Sequence, residues 1–315
     1  MAAFRTRPAM LLQMMRAQFL IGILFPLTAG MLIAVHHAAA FHLLGFLLVL
    51  GVGLGLHIAT NVYNDVYDTL QHADTADQAA RGTLSGGSGL LLANPALMST
   101  MKWLARSGLL LSLVFFLAFL TQIDTRLWPG LILIYGTSVF LSKYYTAAPI
   151  KLGYRGLGEL FVWFSFGPLA VMLGILSQNL PLEPWILPYL PLTGLTTLTI
   201  QWYGQLMDEP SDRAGGKRGL VIRMGTSHAR YGYLALHLLI LTNFLYVAWI
   251  LPTFLWAFLA ALIVYLTVSP RLWITLWRQY DQPPSLRAVS LYNGALYFTD
   301  SLLFLLGVGS TLLFH

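Results

Sequence analysis

The 315-residue chain has no cysteine. That excludes disulfides, thiolate nucleophiles and cysteine-based zinc sites. Charge is scarce too: Asp, Glu, Lys and Arg make up 10% of the residues, against 57% hydrophobic. A soluble domain of this size has no use for so much apolar surface. The composition predicts an all-α, polytopic membrane bundle in one domain. The hydrophobic pattern predicts nine transmembrane helices, roughly 10–35, 41–68, 98–121, 127–144, 157–178, 183–207, 228–250, 252–272 and 291–313. The first apolar stretch contains Arg16 and no small-residue cleavage site, so it reads as a retained helix. The net charge of +6 reports topology and not nucleic-acid binding. Seventeen of the eighteen Lys and Arg fall on one side of this nine-span scheme, leaving only Arg126 on the other. The N-terminus is therefore expected in the cytoplasm and the C-terminus outside, in a prokaryotic-type inner or plasma membrane.

Carboxylates are scarcer still, twelve in all, and seven of them fall in two clusters. Asp65, Asp68, Asp74 and Asp77 follow the second span; Asp208, Glu209 and Asp212 follow the sixth. Both helices run the same way, so both clusters are expected at the cytoplasmic face. Asn61, Asp65 and Asp68 share one helix face, with Asn64 four residues before Asp68. Gln201, Gln205, Asp208 and Asp212 form a second polar stripe, which Pro210 is expected to kink or end. Polar stripes at membrane depth face a cavity or the bundle interior. Crowded carboxylates need cations, and an all-oxygen ligand set favours Mg²⁺. Capping is a poor alternative, because acids at a helix C-terminus oppose its dipole. The pattern suggests a diphosphate held between the clusters by metal ions. The bases nearby, Lys217, Lys151, Arg155, Arg81 and Arg16, are candidates to hold it, although topology alone would also place them there. The tyrosines beside the clusters, Tyr67 and Tyr145 among them, are candidates to stabilise a carbocation through their ring faces. Gly51–Gly55 ("GVGLG") lies inside a span, so it reads as close helix packing and not as a dinucleotide fingerprint. Asp300 is an isolated intramembrane acid, for a hydrogen bond or a site role.

Asn61-x-x-Asn64-Asp65-x-x-Asp68-x5-Asp74 resembles the first aspartate motif of UbiA-type intramembrane prenyltransferases. Asp208-x3-Asp212-x4-Lys217 resembles their second. The long first motif, with His72 where a shorter form has Asp, is similar to the menaquinone-type subgroup that prenylates 1,4-dihydroxy-2-naphthoate. So is the stretch from Tyr145 to Glu159; Gln205 and Met207 depart from the Asn and Arg of many relatives. The resemblance implies a bundle around a central cavity open to the cytoplasmic side and to lipid. It implies Mg²⁺ held by Asn64, Asp65, Asp68, Asp74, Asp208 and Asp212. It implies a polyprenyl diphosphate touched by Asn61, Asn64, Arg81, Lys151, Arg155 and Lys217. It also implies an aromatic acceptor near Tyr67, Tyr145, Gln205 and Arg16. Other acceptors fit the same motifs: a hydroxybenzoate, homogentisate, a porphyrin or a glycerol lipid. An ion-coupled transporter would instead put acids near the midplane and show inverted repeats, and neither is evident.

Overall fold

The computed structural model of the chain describes residues 8–38, 40–73 and 87–314, and among these every regular element is helical. The α-helices of five residues or more begin with α1 (Pro8–Met14), α2 (Ile21–Ala38), α3 (Leu43–Leu70), α4 (Met98–Leu120) and α5 (Trp128–Tyr144). Next, α6 (Gly158–Phe164) runs through a π turn, Ser165–Leu169, into α7 (Ala170–Leu176). After it come α8 (Pro191–Ala214), α9 (Leu220–Met224), α10 (Thr226–Ile250), α11 (Leu255–Thr267), α12 (Pro270–Arg278), α13 (Pro283–Ala288) and α14 (Ser290–Thr311).

Among the described residues six segments are long and apolar enough to cross a membrane: Ala17–Ala38, Leu43–Leu70, Pro95–Leu120, Gly158–Leu176, Thr226–Ile250 and Ser290–Thr311. The pair Pro252–Thr267 and Pro270–Arg278, bent by 53°, makes a seventh if it is one span. Of the other expected spans, α5 is short at 17 residues, and α8 ends in a charged turn carrying Asp208, Glu209, Asp212 and Arg213. Leu110, Val114, Leu133 and Leu266 stay exposed on the outer faces, as lipid-facing side chains do.

Close helix approach is built from glycine. A Cβ on Gly55 would lie 2.7 Å from the Gly108 carbonyl oxygen, and one on Gly108 would lie 2.8 Å from that of Gly55. The two bare backbones let α3 and α4 touch. Gly30 and Gly174 do the same for α2 and α7.

Four expected boundaries change. The expected span 10–35 is broken: α1 stops at Met14, and Arg16 takes a left-handed conformation (φ 52°) before α2 begins. Asn61 fastens this break by donating to the Met15 carbonyl at 3.1 Å. The expected span 183–207 starts later, at Pro191, after a 3-10 segment Pro184–Tyr189. The expected span 252–272 is bent at Ser269–Pro270, where the proline disfavours helix in the residue before it. Pro210 does not end its helix: α8 continues to Ala214, carrying Asp208 and Asp212 on one rod. Only the bond to the Leu206 carbonyl is lost there, and Arg287 donates to the neighbouring Met207 carbonyl at 3.0 Å.

Candidate active site

The C-terminal ends of α3 and α8 meet. Lys217, on the turn after α8, donates to Asp68 Oδ2 at 3.2 Å and lies 3.1 Å from Asp212 Oδ1. One ammonium thus joins carboxylates from two motifs 144 residues apart in sequence. The Tyr154 hydroxyl donates to the other oxygen of Asp68 at 2.7 Å, and its ring lies 5.7 Å from Lys217 Nζ. Arg287, from α13, lies 3.7 Å from Asp208 Oδ1. Asp68, Asp208, Asp212, Lys217 and Tyr154, with Gln205, wall a polar chamber of about 220 Å³, and Arg287 backs Asp208 from outside that wall.

Asp65 is set beside the chamber. It is 1% exposed, receives the Ser88 backbone N–H at 3.1 Å on both oxygens, and lies 3.6 Å from Arg16. The left-handed turn at Arg16 therefore aims a cation at the first motif. Charge is nearly balanced throughout: each described motif aspartate has a cationic neighbour.

Behind the chamber lies a second, apolar cavity of about 260 Å³, lined by Leu56, Phe161, Phe166 and Leu169 among others. Arg16, Phe19, Asn64, Tyr145 and Gln201 line both spaces and form the neck between them. At that neck Gln201 Nε2 donates to the Tyr145 hydroxyl at 2.6 Å, and Asn64 Oδ1 accepts from Thr146 at 3.2 Å.

The sequence profile of the UbiA prenyltransferase family matches residues 23–297. The chain belongs to this family. It is similar to the 1,4-dihydroxy-2-naphthoate octaprenyltransferase of Escherichia coli (strain K12), 32% identical over 60% of this chain and 59% of that protein. It is similar also to the 2-carboxy-1,4-naphthoquinone phytyltransferase of Synechocystis sp., 26% identical over 64% of this chain and 61% of that protein. The matched part thus spans between 59% and 61% of these curated relatives. Among solved structures, an apo UbiA homolog from Aeropyrum pernix K1 has a TM-score of 0.61 at 18% identity, covering 88% of this chain and 97% of that one. A UbiA homolog from Archaeoglobus fulgidus bound to GPP and Mg²⁺ has a TM-score of 0.60 at 12% identity, covering 93% and 98%. These two likenesses speak for the fold: the chain is a multi-pass, all-helical UbiA membrane protein.

Within this UbiA bundle the sequence-predicted residues separate into groups. Asp68, Asp208, Asp212, Lys217, Asn64, Gln205, Tyr145 and Arg16 wall the polar chamber. Asn61 lies deeper, on the apolar cavity. Lys151 stands outside the wall, 5.7 Å from the Tyr154 ring. Arg155 is exposed and turned to the Pro149 carbonyl at 2.9 Å. Tyr67 packs with Tyr63 toward α4, away from both spaces. Asp74 and Arg81 lie outside the described residues. Tyr154 and Arg287 were not picked out from the sequence. Tyr154 sits in the "YTAAPIKLGYRGLGE" stretch and carried a signal in that resemblance; Arg287 carried none beyond topology. Asp300 accepts from the Tyr265 hydroxyl at 2.9 Å, remote from the chamber.

Proposed function

We propose that the protein transfers a polyprenyl group from its diphosphate to an aromatic acceptor, 1,4-dihydroxy-2-naphthoate, in a Mg²⁺-dependent reaction of menaquinone biosynthesis. The observation that carries this reading is Lys217 between Asp68 and Asp212, in a polar chamber opening onto an apolar cavity. A diphosphate suits the first space and an apolar substrate the second. The names of the curated relatives support the acceptor.

The donor chemistry of the chamber fits magnesium. Its acids offer oxygen only, with no Cys in the chain. Among the described residues no three His, Asp or Glu side chains converge to hold a metal unaided. That suits an ion usually held by one or two carboxylates, substrate phosphates and water. Asp68, Asp208 and Asp212 on the chamber wall, with Asn64, and Asp65 and Asp74 of the first motif, would share more than one such ion between them. When bound, Mg²⁺ supplies Lewis-acid neutralisation of the diphosphate.

The chain's own residues do the rest. Lys217 takes a diphosphate oxygen as the allylic C–O bond breaks, and its charge favours the leaving anion. Tyr145 offers its ring at the neck, where the allylic cation forms. The apolar wall keeps water from that cation. The acceptor ring carbon forms the new C–C bond, and its carboxylate departs as CO₂. The prenyl tail leaves sideways among apolar helices into lipid.

We infer nine spans, counting α5, α8 and the bent α11–α12 pair, with the N-terminus cytoplasmic and the chamber at the cytoplasmic face. The deciding experiment incubates the purified protein with 1,4-dihydroxy-2-naphthoate, a polyprenyl diphosphate and Mg²⁺, and measures product mass. A prenylated product lacking the carboxylate is expected. No product with this acceptor, but product with a hydroxybenzoate, would reassign the substrate.

A further inference from the structure

The apolar cavity behind the neck has polar side chains on its wall, and most are satisfied locally. Thr60 donates to the Leu56 carbonyl at 2.9 Å, Ser138 to Ile134 at 2.8 Å and Ser142 to Ser138 at 2.8 Å. Asn61 is engaged with Met15 at 3.1 Å. Among the described residues, two buried atoms on this wall are left without a partner: His57 Nδ1 and Gln201 Oε1. His57 is 8% exposed, with its ring edge-on to Phe166 at 5.2 Å between centroids. It lies four residues before Asn61 and eight before Asp65 on the inward face of α3. It is therefore about 12 Å deeper along the axis than the first motif aspartate. Gln201 stands at the neck and its Nε2 is taken by Tyr145, so only its oxygen remains.

A buried polar atom without a partner is costly, and a native site that keeps one has a reason for it. A prenyl chain carries no polar atom and satisfies neither group. A dihydroxyaryl ring offers a hydroxyl on each of two opposite edges, the chemistry that both groups lack. The amide oxygen of Gln201 is an acceptor, so its partner must bring a hydrogen: a hydroxyl fits and a quinone carbonyl does not. A further apolar cavity, about 250 Å³ between α2 and α14, is walled by Ile21, Tyr297 and Phe298 among others. His57, Phe19 and Phe166 line both cavities and so form the partition between them.

We propose that His57 and Gln201 are the pair that reads the two hydroxyls of the acceptor ring, His57 taking the one remote from the reacting carbon and Gln201 the one at the neck. This rests on the functional reading above and adds to it the residues that set acceptor choice. His57 is a specificity residue here: it selects rings that carry both hydroxyls.

The test uses the full chain in lipid nanodiscs with Mg²⁺. It compares the kcat/KM for 1,4-dihydroxy-2-naphthoate with the Ki of 1-hydroxy-2-naphthoate, which lacks the remote hydroxyl. Binding of an unreactive polyprenyl thiolodiphosphate reports folding and the diphosphate chamber. His57→Leu is expected to lower the kcat/KM by roughly 10- to 100-fold, while the Ki of the monohydroxy analogue and thiolodiphosphate affinity stay within twofold. His57→Gln, which restores a polar atom, recovers most of the loss. Gln201→Leu weakens both acceptors. Equal losses in His57→Leu and His57→Gln, equal effects of His57→Leu on the two acceptors, or no effect, would overturn the inference alone. A wild-type protein that binds thiolodiphosphate but neither converts nor is inhibited by these naphthoates would overturn the functional reading, and the inference with it.

Discussion

Lys217 shows how much depends on one side chain. It sits between Asp68 and Asp212, which would otherwise face each other across a partly dry chamber. Lys217→Ala is expected to raise the KM for the diphosphate substrate more than the KM for the acceptor; steady-state kinetics with each substrate varied would check this. A change confined to the acceptor KM would contradict the assignment. The aspartates themselves carry the larger effect. Asp68→Ala, Asp208→Ala and Asp212→Ala, and Asp65→Ala beside the chamber, are each expected to cut transfer by at least about 10²-fold, with an unchanged detergent melting curve. Tyr154 acts one step back, through its hydrogen bond to Asp68. Tyr154→Phe is expected to raise the Mg²⁺ concentration for half-maximal activity by about 10-fold, read from a metal titration. The aspartates were legible in the sequence because acids are rare in a chain this apolar. Tyr154 and Arg287 were not, because tyrosine and arginine at a membrane face have ordinary reasons to be there.

At the scale of the element, small residues decide what packs closely. The run Gly51–Gly55 was legible as a packing surface, and Gly55 meets Gly108 across the α3–α4 contact. Gly55→Val places carbon against a backbone oxygen that cannot retreat, so a loss of about 1–3 kcal/mol is expected. Thermal unfolding in detergent would measure it, and an unchanged midpoint would show that the helices separate freely. Helix ends were the less legible feature. The break at Arg16 has no proline or glycine to announce it; it exists because Asn61 and Asp65 on another helix hold Met15 and Arg16. Pro210 announced a kink or an end; the end does not occur, because a helix tolerates the loss of a single backbone bond when its surroundings hold it together.

For the whole molecule, the distribution of charge predicts a direction of insertion. The absence of cysteine makes the test clean, since a single introduced thiol has no background. Asp281→Cys is expected to react with a membrane-impermeant maleimide only in inside-out vesicles, and Gln122→Cys only in right-side-out ones. The reverse pattern would invert the topology and put the chamber outside. Chelation acts at the same scale: EDTA is expected to stop transfer and added Mg²⁺ to restore it. Full activity in a rigorously metal-free preparation would remove the metal from the reaction.

The sequence by itself determined the class of molecule, because apolar length and charge placement are one-dimensional quantities that a bilayer reads directly. It also determined the two acidic motifs, since helical spacing alone lines up Asn61, Asp65 and Asp68 on one face. Only the tertiary structure decided which residues from different helices share a space. It put Asp68 beside Asp212, held Asp65 toward Ser88 and Arg16, turned Arg155 and Tyr67 away, and left His57 Nδ1 and Gln201 Oε1 at an apolar cavity with no hydrogen-bond partner among the described residues. The physical reason is that spacing fixes the face of a helix, whereas the neighbour that face meets depends on packing among segments more than a hundred residues apart.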